Sequence, residues 1–294
     1  MIRIGPTEES ILNVISESIE RKLNCAGIFY RVFSRIKTRN SIEKKISEKS
    51  QMYIEKGKKM QDVFGVRVTV YFQDDEHIAA SLVKSIFQEK PDGHSIDLID
   101  KERFGPIRHN LVFEIDSKLC QLSSLFDQNF IDSTFEVQFR TIFSEGWHEV
   151  EHDLRYKCKG DWKSEDLLFR QLNGQLASLE TCDWAMLKIF DELAYKKYKN
   201  REWPSFFRNV LRIRFEDLGF SDEVMVYLNK DFSVGRELLK IDREELIMSL
   251  ANISTAIPLK MDNVLFIINR AILKRENLVD LEPTLLKRIL DGLK

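Results

Sequence analysis

The chain has 294 residues, 45 Lys and Arg against 47 Asp and Glu, and a formal net charge of −2. With 43% hydrophobic, 11% aromatic and 31% charged residues, it has the composition of a globular protein with a sizeable core, in one large domain or two modest ones. The balance of charge removes any whole-chain argument for nonspecific nucleic-acid binding and leaves only local basic patches.

No stretch approaches the run of about 18 apolar residues that a membrane span needs. The N-terminus, MIRIGPTEES, turns acidic too early for a secretory signal. Cys25, Cys120, Cys158 and Cys182 form no CxxC pair. They read as free thiols of a reducing, cytoplasmic compartment rather than a disulfide frame or a zinc site.

Ile11, Leu12, Ile15, Ile19 and Leu23 recur at helical spacing, so residues 8–24 read as an amphipathic helix. The aromatic and β-branched stretch 26–37 reads as a strand. Asn40 is the expected N-cap of a second helix reaching about residue 53, with Glu43 at the capping-box position. Residues 56–59 form a basic connector, 64–72 a strong strand and 76–88 a helix. A turn at Lys90-Pro91-Asp92-Gly93 leads to a short strand at 95–99 and a charged loop at 101–109. Strands follow at 111–115 and 134–141, then long helices at 143–157 and 167–195. From 205 to 294 the pattern is helical throughout, and no internal repeat is present. The expected fold class is α+β: a mixed β-sheet flanked by helices over residues 1–200, and an all-helical domain over 201–294.

Three local patterns suggest chemistry. Arg35 and Lys37 share one strand face, and Ser41 and Lys45 share one face of the next helix. Three cations and a hydroxyl thus converge where a strand passes to a helix N-terminus, a combination suited to a polyphosphate. The plainer alternative is a solvated basic strand edge. In TFEVQFR, Phe135, Val137 and Phe139 point one way and Glu136, Gln138 and Arg140 the other. A carboxylate one strand step from an amide and a guanidinium suits binding a magnesium ion or taking a proton from a hydroxyl; an exposed sheet face explains the same alternation. Asp62 at a strand edge is a second candidate magnesium carboxylate, with Arg67 inside that strand. Alone, these are a turn Asp and an ordinary strand Arg.

Taken together, Arg35-x-Lys37-x3-Ser41-x3-Lys45, Asp62-x4-Arg67, Glu136-x-Gln138-x-Arg140 and Trp147-x3-Glu151-His152-x3-Tyr156-Lys157 resemble the synthetase domain of the RelA/SpoT family, the alarmone (p)ppGpp synthetases. The resemblance covers roughly residues 10–195. It implies a nucleotidyltransferase-like fold. It also implies transfer of the β,γ-pyrophosphate of ATP to the ribose 3′-hydroxyl of GDP or GTP, releasing AMP, with Mg²⁺ as cofactor. Carried onto this chain, Arg35, Lys37, Ser41, Lys45 and Arg67 hold ATP. Asp62 binds the metal, and Glu136 is the base and a second metal contact. Gln138, Arg140, His152, Tyr156 and Lys157 serve the acceptor and the transferred phosphates.

Some features stand apart from that pattern. His148-Glu149-Val150-Glu151-His152 matches the zinc-protease HExxH, but the family motif already accounts for Glu151 and His152. Only about 25 residues precede the first expected strand, so the hydrolase domain of bifunctional family members does not fit ahead of it. The family's Gly-Tyr-x-Ser-x-His loop, whose Tyr stacks on the acceptor guanine, corresponds to Gly105-Pro106-Ile107-Arg108-His109-Asn110, where the Tyr position is Pro106, the Ser position Arg108 and the His position Asn110. Phe104 is then the candidate stacking ring, and Arg108 or His109 a polar contact.

Small relatives often end in helices that build a homotetramer, so the helical tail is expected to serve oligomerisation, as a dimer or tetramer, or regulation. Some relatives are toxins that pyrophosphorylate the 3′ end of tRNA. Lys196, Lys197, Lys199, Arg201, Arg208, Arg212 and Arg214 would then meet an RNA backbone; a solvated helix face balanced by Glu216 and Asp217 explains them equally. A catalytically weak nucleotide sensor is a third reading.

Overall fold

The protein is described here by a computed structural model covering residues 4–55, 57–97, 108–253 and 257–292. Its strands are β1 (Tyr30–Ile36), β2 (Phe64–Val70), β3 (Ser95–Ile96), β4 (His109–Glu114) and β5 (Thr134–Thr141). They form one sheet in the order β1-β2-β5-β4-β3. β2 and β5 run parallel, and the other pairs are antiparallel. This is the mixed sheet that the alternating patterns imply.

One face of the sheet is apolar. Phe64, Val66 and Val68 of β2, Phe135, Val137 and Phe139 of β5, and Leu111 and Phe113 of β4 are all buried. The other face is mostly polar. Arg35, Gly65 and Glu136 lie in one cross-strand row, and Phe33, Arg67, Gln138 and Asn110 in the next. Because side chains alternate along a strand, burying the apolar set fixes which residues face the other way.

Several boundaries differ from the sequence reading, each for a local reason. Helix α1 (Pro6–Ala26) overruns the expected strand start, and Gly27, with φ +70°, turns the chain before β1 begins. Helix α2 (Arg39–Glu48) is capped by Thr38, not Asn40. Thr38 is the last extended residue, and its hydroxyl accepts from the Ser41 N–H at 3.3 Å. Asn40 therefore falls inside the first turn, and Glu43 pairs with Arg39 at 2.7 Å instead of closing a capping box. The helix ends at Glu48, and a π-helical turn over Gln51–Glu55 replaces its expected last turn.

Helix α3 (Asp75–Lys84) and the four-residue α4 (Ser117–Cys120) precede β5. The single helix expected at 143–157 divides into α5 (Ile142–Val150) and a π-helical turn over Glu151–Tyr156. α6 (Asp166–Lys199) extends beyond the expected helix at both ends.

Two compact units result. The first comprises Met1–Arg21, Tyr30–Tyr71 and Ala79–Thr181, and contains the whole sheet. The second comprises Lys22–Phe29, Phe72–Ile78 and Cys182–Lys294. It is built on the end of α6 and on α7 (Trp203–Leu211), α8 (Asp222–Lys230), α9 (Ser233–Leu238), α10 (Arg243–Ala251), α11 (Met261–Ile268), α12 (Glu276–Val279) and α13 (Thr284–Asp291). Its core includes Trp203, Phe206, Phe207, Leu246, Leu265 and Phe266. Gly235 of α9 packs so closely that a Cβ there would lie 2.7 Å from the Tyr198 ring and 2.8 Å from Trp203.

The second unit also buries a charge cluster. Arg212 caps α7 in the left-handed conformation and pairs with Asp74 and, at 3.0 Å, with Asp191. Arg243 reaches Asp75 at 2.5 Å and Asp74 at 3.2 Å. Asp75 has no exposed surface. Burial pushes its carboxyl up to about 6 against the pull of Arg243, and neighbouring Asp74 adds to the rise.

A carboxyl with a raised folded value keeps its proton in the native state while the unfolded chain has lost it. Between about pH 4 and pH 6 stability therefore falls as pH rises. Asp75→Asn removes that titration. Thermal unfolding followed by circular dichroism should show the wild type losing more stability than Asp75→Asn between pH 4.5 and pH 7; equal losses would remove Asp75 as the cause.

Candidate active site

The polar face of the sheet carries a cleft of about 480 Å³. β1 and the residue after it contribute Phe33, Arg35 and Lys37; β2 contributes Gly65 and Arg67; β5 contributes Glu136 and Gln138. Asp62 enters from the segment before β2, and Glu145 and Glu149 enter from α5. The strand period of two places alternate residues in the cleft, and the register places those of three strands side by side.

At one end Asp62 sits between two ammonium groups. Lys45 Nζ donates to its two oxygens at 2.8 and 3.0 Å. Lys37 Nζ donates to Asp62 Oδ2 and, at 3.3 Å, to the Asp62 carbonyl. Burial opposes ionisation of Asp62, but the two lysines outweigh it and hold the carboxyl below its usual range. At Lys37 burial wins and pulls the ammonium below the usual lysine range. At Lys45 burial is outweighed by pairing with Asp62, and the value rises. Ser41 stands in the first turn of α2, exposed, its hydroxyl 2.9 Å from that of Thr38, and it does not line the cleft. Arg35 forms no ion pair among the described residues and is exposed.

In the middle of the cleft both oxygens of Glu136 accept amide hydrogen bonds, from Asn110 Nδ2 at 2.9 Å and Gln138 Nε2 at 3.0 Å. Gln138 Oε1 accepts from Arg67 Nε at 3.3 Å. Arg67 also donates to Glu145 and Glu149, and Arg140 donates to Glu145 at 3.0 Å. Burial lowers Arg67, but Glu145 and Glu149 outweigh it and raise its value. Arg140 is lowered by burial and by the Arg67 charge. Behind this network His148 is pushed down to about 3 by burial and by the charges of Arg140 and Arg67, so its ring stays neutral.

The structure thus brings Arg35, Lys37, Lys45, Asp62, Arg67, Glu136 and Gln138 together, with Arg140 joined through Glu145. It does not bring His152, Tyr156 or Lys157 to the cleft lining. They form an exposed group on the π-helical turn, where His152 stacks on Tyr156 at 5.8 Å and Lys157 pairs with Asp153 at 2.7 Å. Arg108 forms a fork with Asp97 at 2.8 and 2.7 Å. Phe104 lies outside the described residues. The HExxH match holds no metal geometry: His148 is buried and neutral, His152 is exposed against Asp153, and no group of three His, Cys, Asp or Glu among the described residues could hold a metal ion.

Three participants escaped the sequence reading. Glu145 and Glu149 are an i, i+4 pair on the helix directly after the Glu-Gln-Arg strand, a spacing that could have marked them. Asn110 reads from sequence only as a departure from a family loop. Its pairing with Gln138 across β4 and β5 is what aims it at Glu136.

Residues 34–161 match the family model for the region found in RelA / SpoT proteins. No curated protein matches the chain. Among solved structures, it is similar to small alarmone synthetase 1 from Bacillus subtilis (23% identity, 61% of this chain and 92% of that one, TM-score 0.46). A second structure of that protein, bound to its product pppGpp, gives 20% identity over 64% of this chain and 94% of that one, with a TM-score of 0.49. A GTP pyrophosphokinase family protein from Streptococcus pneumoniae gives 22% identity over 64% of this chain and 95% of that one, with a TM-score of 0.46.

Gly65 is the floor of the cleft between Arg35 and Glu136. A Cβ there would make only ordinary contact, with Arg35 at 3.8 Å, so a larger side chain fits the strand but occupies ligand space. Gly65→Val is expected to leave the melting temperature unchanged or raised, since valine suits a strand better than glycine. Binding of ATP, the ligand the resemblance implies, should fall at least about tenfold, roughly 1.4 kcal/mol, by calorimetry. Undiminished binding would place the ligand elsewhere.

Proposed function

We propose that the chain, whose residues 34–161 match the family model for the region found in RelA / SpoT proteins, is a pyrophosphokinase that transfers the β,γ-pyrophosphate of ATP to the ribose 3′-hydroxyl of GDP or GTP, making (p)ppGpp and AMP. One observation carries the reading. Cations suited to a polyphosphate, from the segment 35–67, share a cleft with the amide-held carboxylate Glu136.

Lys37 and Lys45 share a single carboxylate, which leaves one positive charge uncompensated. An incoming polyphosphate competes with Asp62 for them, and Arg35 adds a cation already unpaired. Ser41 and the N-terminus of α2 serve the phosphate end. Glu136 has one lone pair on each oxygen committed to an amide, which leaves acceptor capacity for a hydroxyl proton. As that proton leaves, the 3′-oxygen bonds to the β-phosphorus and the bond from that phosphorus to the α,β-bridging oxygen breaks, freeing AMP. Lys37, Lys45, Arg67 and Arg140 supply fixed positive charge as negative charge gathers on the transferred group. Gln138 ties Glu136 to Arg67, so base and cation are positioned as one unit.

The oxygens of Asp62 and Glu136 suit a magnesium ion in type, and that ion characteristically takes one or two carboxylates beside substrate phosphates. When bound there it would neutralise phosphate charge. His152, Tyr156 and Lys157 remain assigned to the acceptor side on the resemblance, and Phe104 and Arg108 as replacements for the family loop side chains that this chain lacks.

The test is transfer from γ-labelled ATP with Mg²⁺, offering GDP, GTP, ADP or bulk tRNA separately. Label is expected on GDP or GTP. Glu136→Gln should cut that transfer at least about a hundredfold, the scale of a lost general base, without changing thermal stability. Asp62→Asn should also lower transfer, and it should lower thermal stability because Lys37 and Lys45 lose the charge between them. Label on tRNA alone would replace the acceptor with RNA, and ATP binding without transfer would make the chain a nucleotide sensor.

A further inference from the structure

One edge of the sheet is open. β1 and β3 end the strand order, and β3 has two residues against the seven of β1. The Lys37 N–H donates to the Val63 carbonyl at 2.9 Å, in line with the register that pairs Ile36 with Phe64. Hydrogen bonding alternates along an antiparallel pair, so Arg31, Phe33 and Arg35 turn their backbone groups toward β2, and Val32, Ser34 and Ile36 turn theirs outward. Among the described residues no hydrogen bond reaches those outward N–H and C=O groups.

A groove of about 1000 Å³ runs along that edge. Residues 34–39 line it without a gap, so it meets the strand at its edge and not at one face. Its far wall is the first half of α1, through Thr7, Glu9, Leu12 and Asn13, with Leu122 beside them. A free edge beside a groove is the setting in which an extended segment adds to a sheet, its backbone supplying the missing partners and its alternate side chains the selectivity. The charges indicate which segment. Residues 30–39 carry Arg31, Arg35, Lys37 and Arg39 and no acid. Lys37 is engaged by Asp62 and Arg39 by Glu43, while Arg31 and Arg35 are exposed and form no ion pair among the described residues. The acids of the groove lie across it: Glu8 is buried and committed to Ser123 and the Gly5 N–H, and Glu9 stands on α1. A second copy of β1 laid on this edge would oppose cations to cations, which disfavours self-pairing.

We propose that the outer edge of β1 is a docking site for an extended acidic segment of a partner protein. The segment adds antiparallel to β1, with its acidic side chains beside Arg31 and Arg35 on one face and its apolar side chains beside Val32, Ile36 and the exposed Leu122 on the other. The site depends on the strand edge and not on the reaction assigned to the cleft.

The probe is the fluorescently labelled peptide Glu-Val-Glu-Val-Glu-Val-Glu, titrated into the full-length protein at low salt with anisotropy as the readout. Directly opposed residues of an antiparallel pair share a face, so the valines, on the face of Val32 and Ile36, are the residues whose N–H groups meet β1. The wild type is expected to bind this peptide and not the counterpart with Lys in place of Glu. Methylating the valine nitrogens should abolish binding, and methylating the glutamate nitrogens should leave it within about twofold. Arg31→Glu should weaken it about fivefold, the scale of one cross-strand charge pair. No binding of the acidic peptide would overturn the site. So would equal binding of the lysine peptide, or a loss on methylating the glutamate nitrogens and not the valine ones. An oligomer of the unliganded protein that the peptide dissociates would put a second copy on the edge and overturn the assignment of a partner.

Discussion

The parallel pairing of β2 with β5 is the constraint on which the site depends. It sets Gly65 beside Glu136 and Arg67 beside Gln138, joining residues about seventy positions apart. The buried set of Phe64, Val66, Val68, Phe135, Val137 and Phe139 enforces the register, because a slip of one residue in either strand would turn these rings and branched chains toward water. Hydrophobic burial on one face therefore specifies polar geometry on the other. The antiparallel pairings on either side then add Arg35 and Phe33 from β1 and Asn110 from β4 to rows already aligned.

The cleft is also close to internally compensated. Asp62 answers Lys37 and Lys45, while Glu145 and Glu149 answer Arg67, and Glu145 also answers Arg140. Part-buried cations left without partners would cost the fold desolvation energy. Providing partners lets the site keep its cations, so an anionic ligand would have to exchange with carboxylates at Lys37, Lys45, Arg67 and Arg140 and would meet a free cation at Arg35. The arrangement favours a ligand of high charge density, since one that offers less than a carboxylate gains nothing by the exchange.

Much of this was legible in the sequence, and the limits have physical causes. The alternation in TFEVQFR gives β5 and its outward row directly, because a half-buried strand writes its two faces into the sequence. Spacing also brings Arg35, Lys37 and Lys45 to one place. Local start and stop signals served less well. Thr38 displaced Asn40 as a cap, and the helix after β5 passed into a π-helical turn with nothing in its apolar spacing to mark the change. Asn110, Glu145 and Glu149 act through contacts across strands or from helix to sheet, and single-strand periodicity carries no information about such contacts. His152 and Tyr156 lie on that π-helical turn and Lys157 directly after it, and none of the three lines the cleft.

Compensation also governs what any single substitution in the cleft does. Removing Asp62 does more than delete an acceptor: it leaves Lys37 facing Lys45, and the two charges already act on each other. The released repulsion makes this end of the cleft more attractive to anions while depriving it of a carboxylate. On the proposed reading, binding and turnover would move in opposite directions at Asp62. At Glu136 both partners are neutral amides that donate, so an isosteric Gln removes charge from the centre without uncovering a charge repulsion, and Asn110 must turn its amide to accept from the new N–H. The two carboxylates of one cleft thus have distinct electrostatic surroundings. Asp62 is the counterion of Lys37 and Lys45, and Glu136 is a carboxylate oriented by dipoles with acceptor capacity left over.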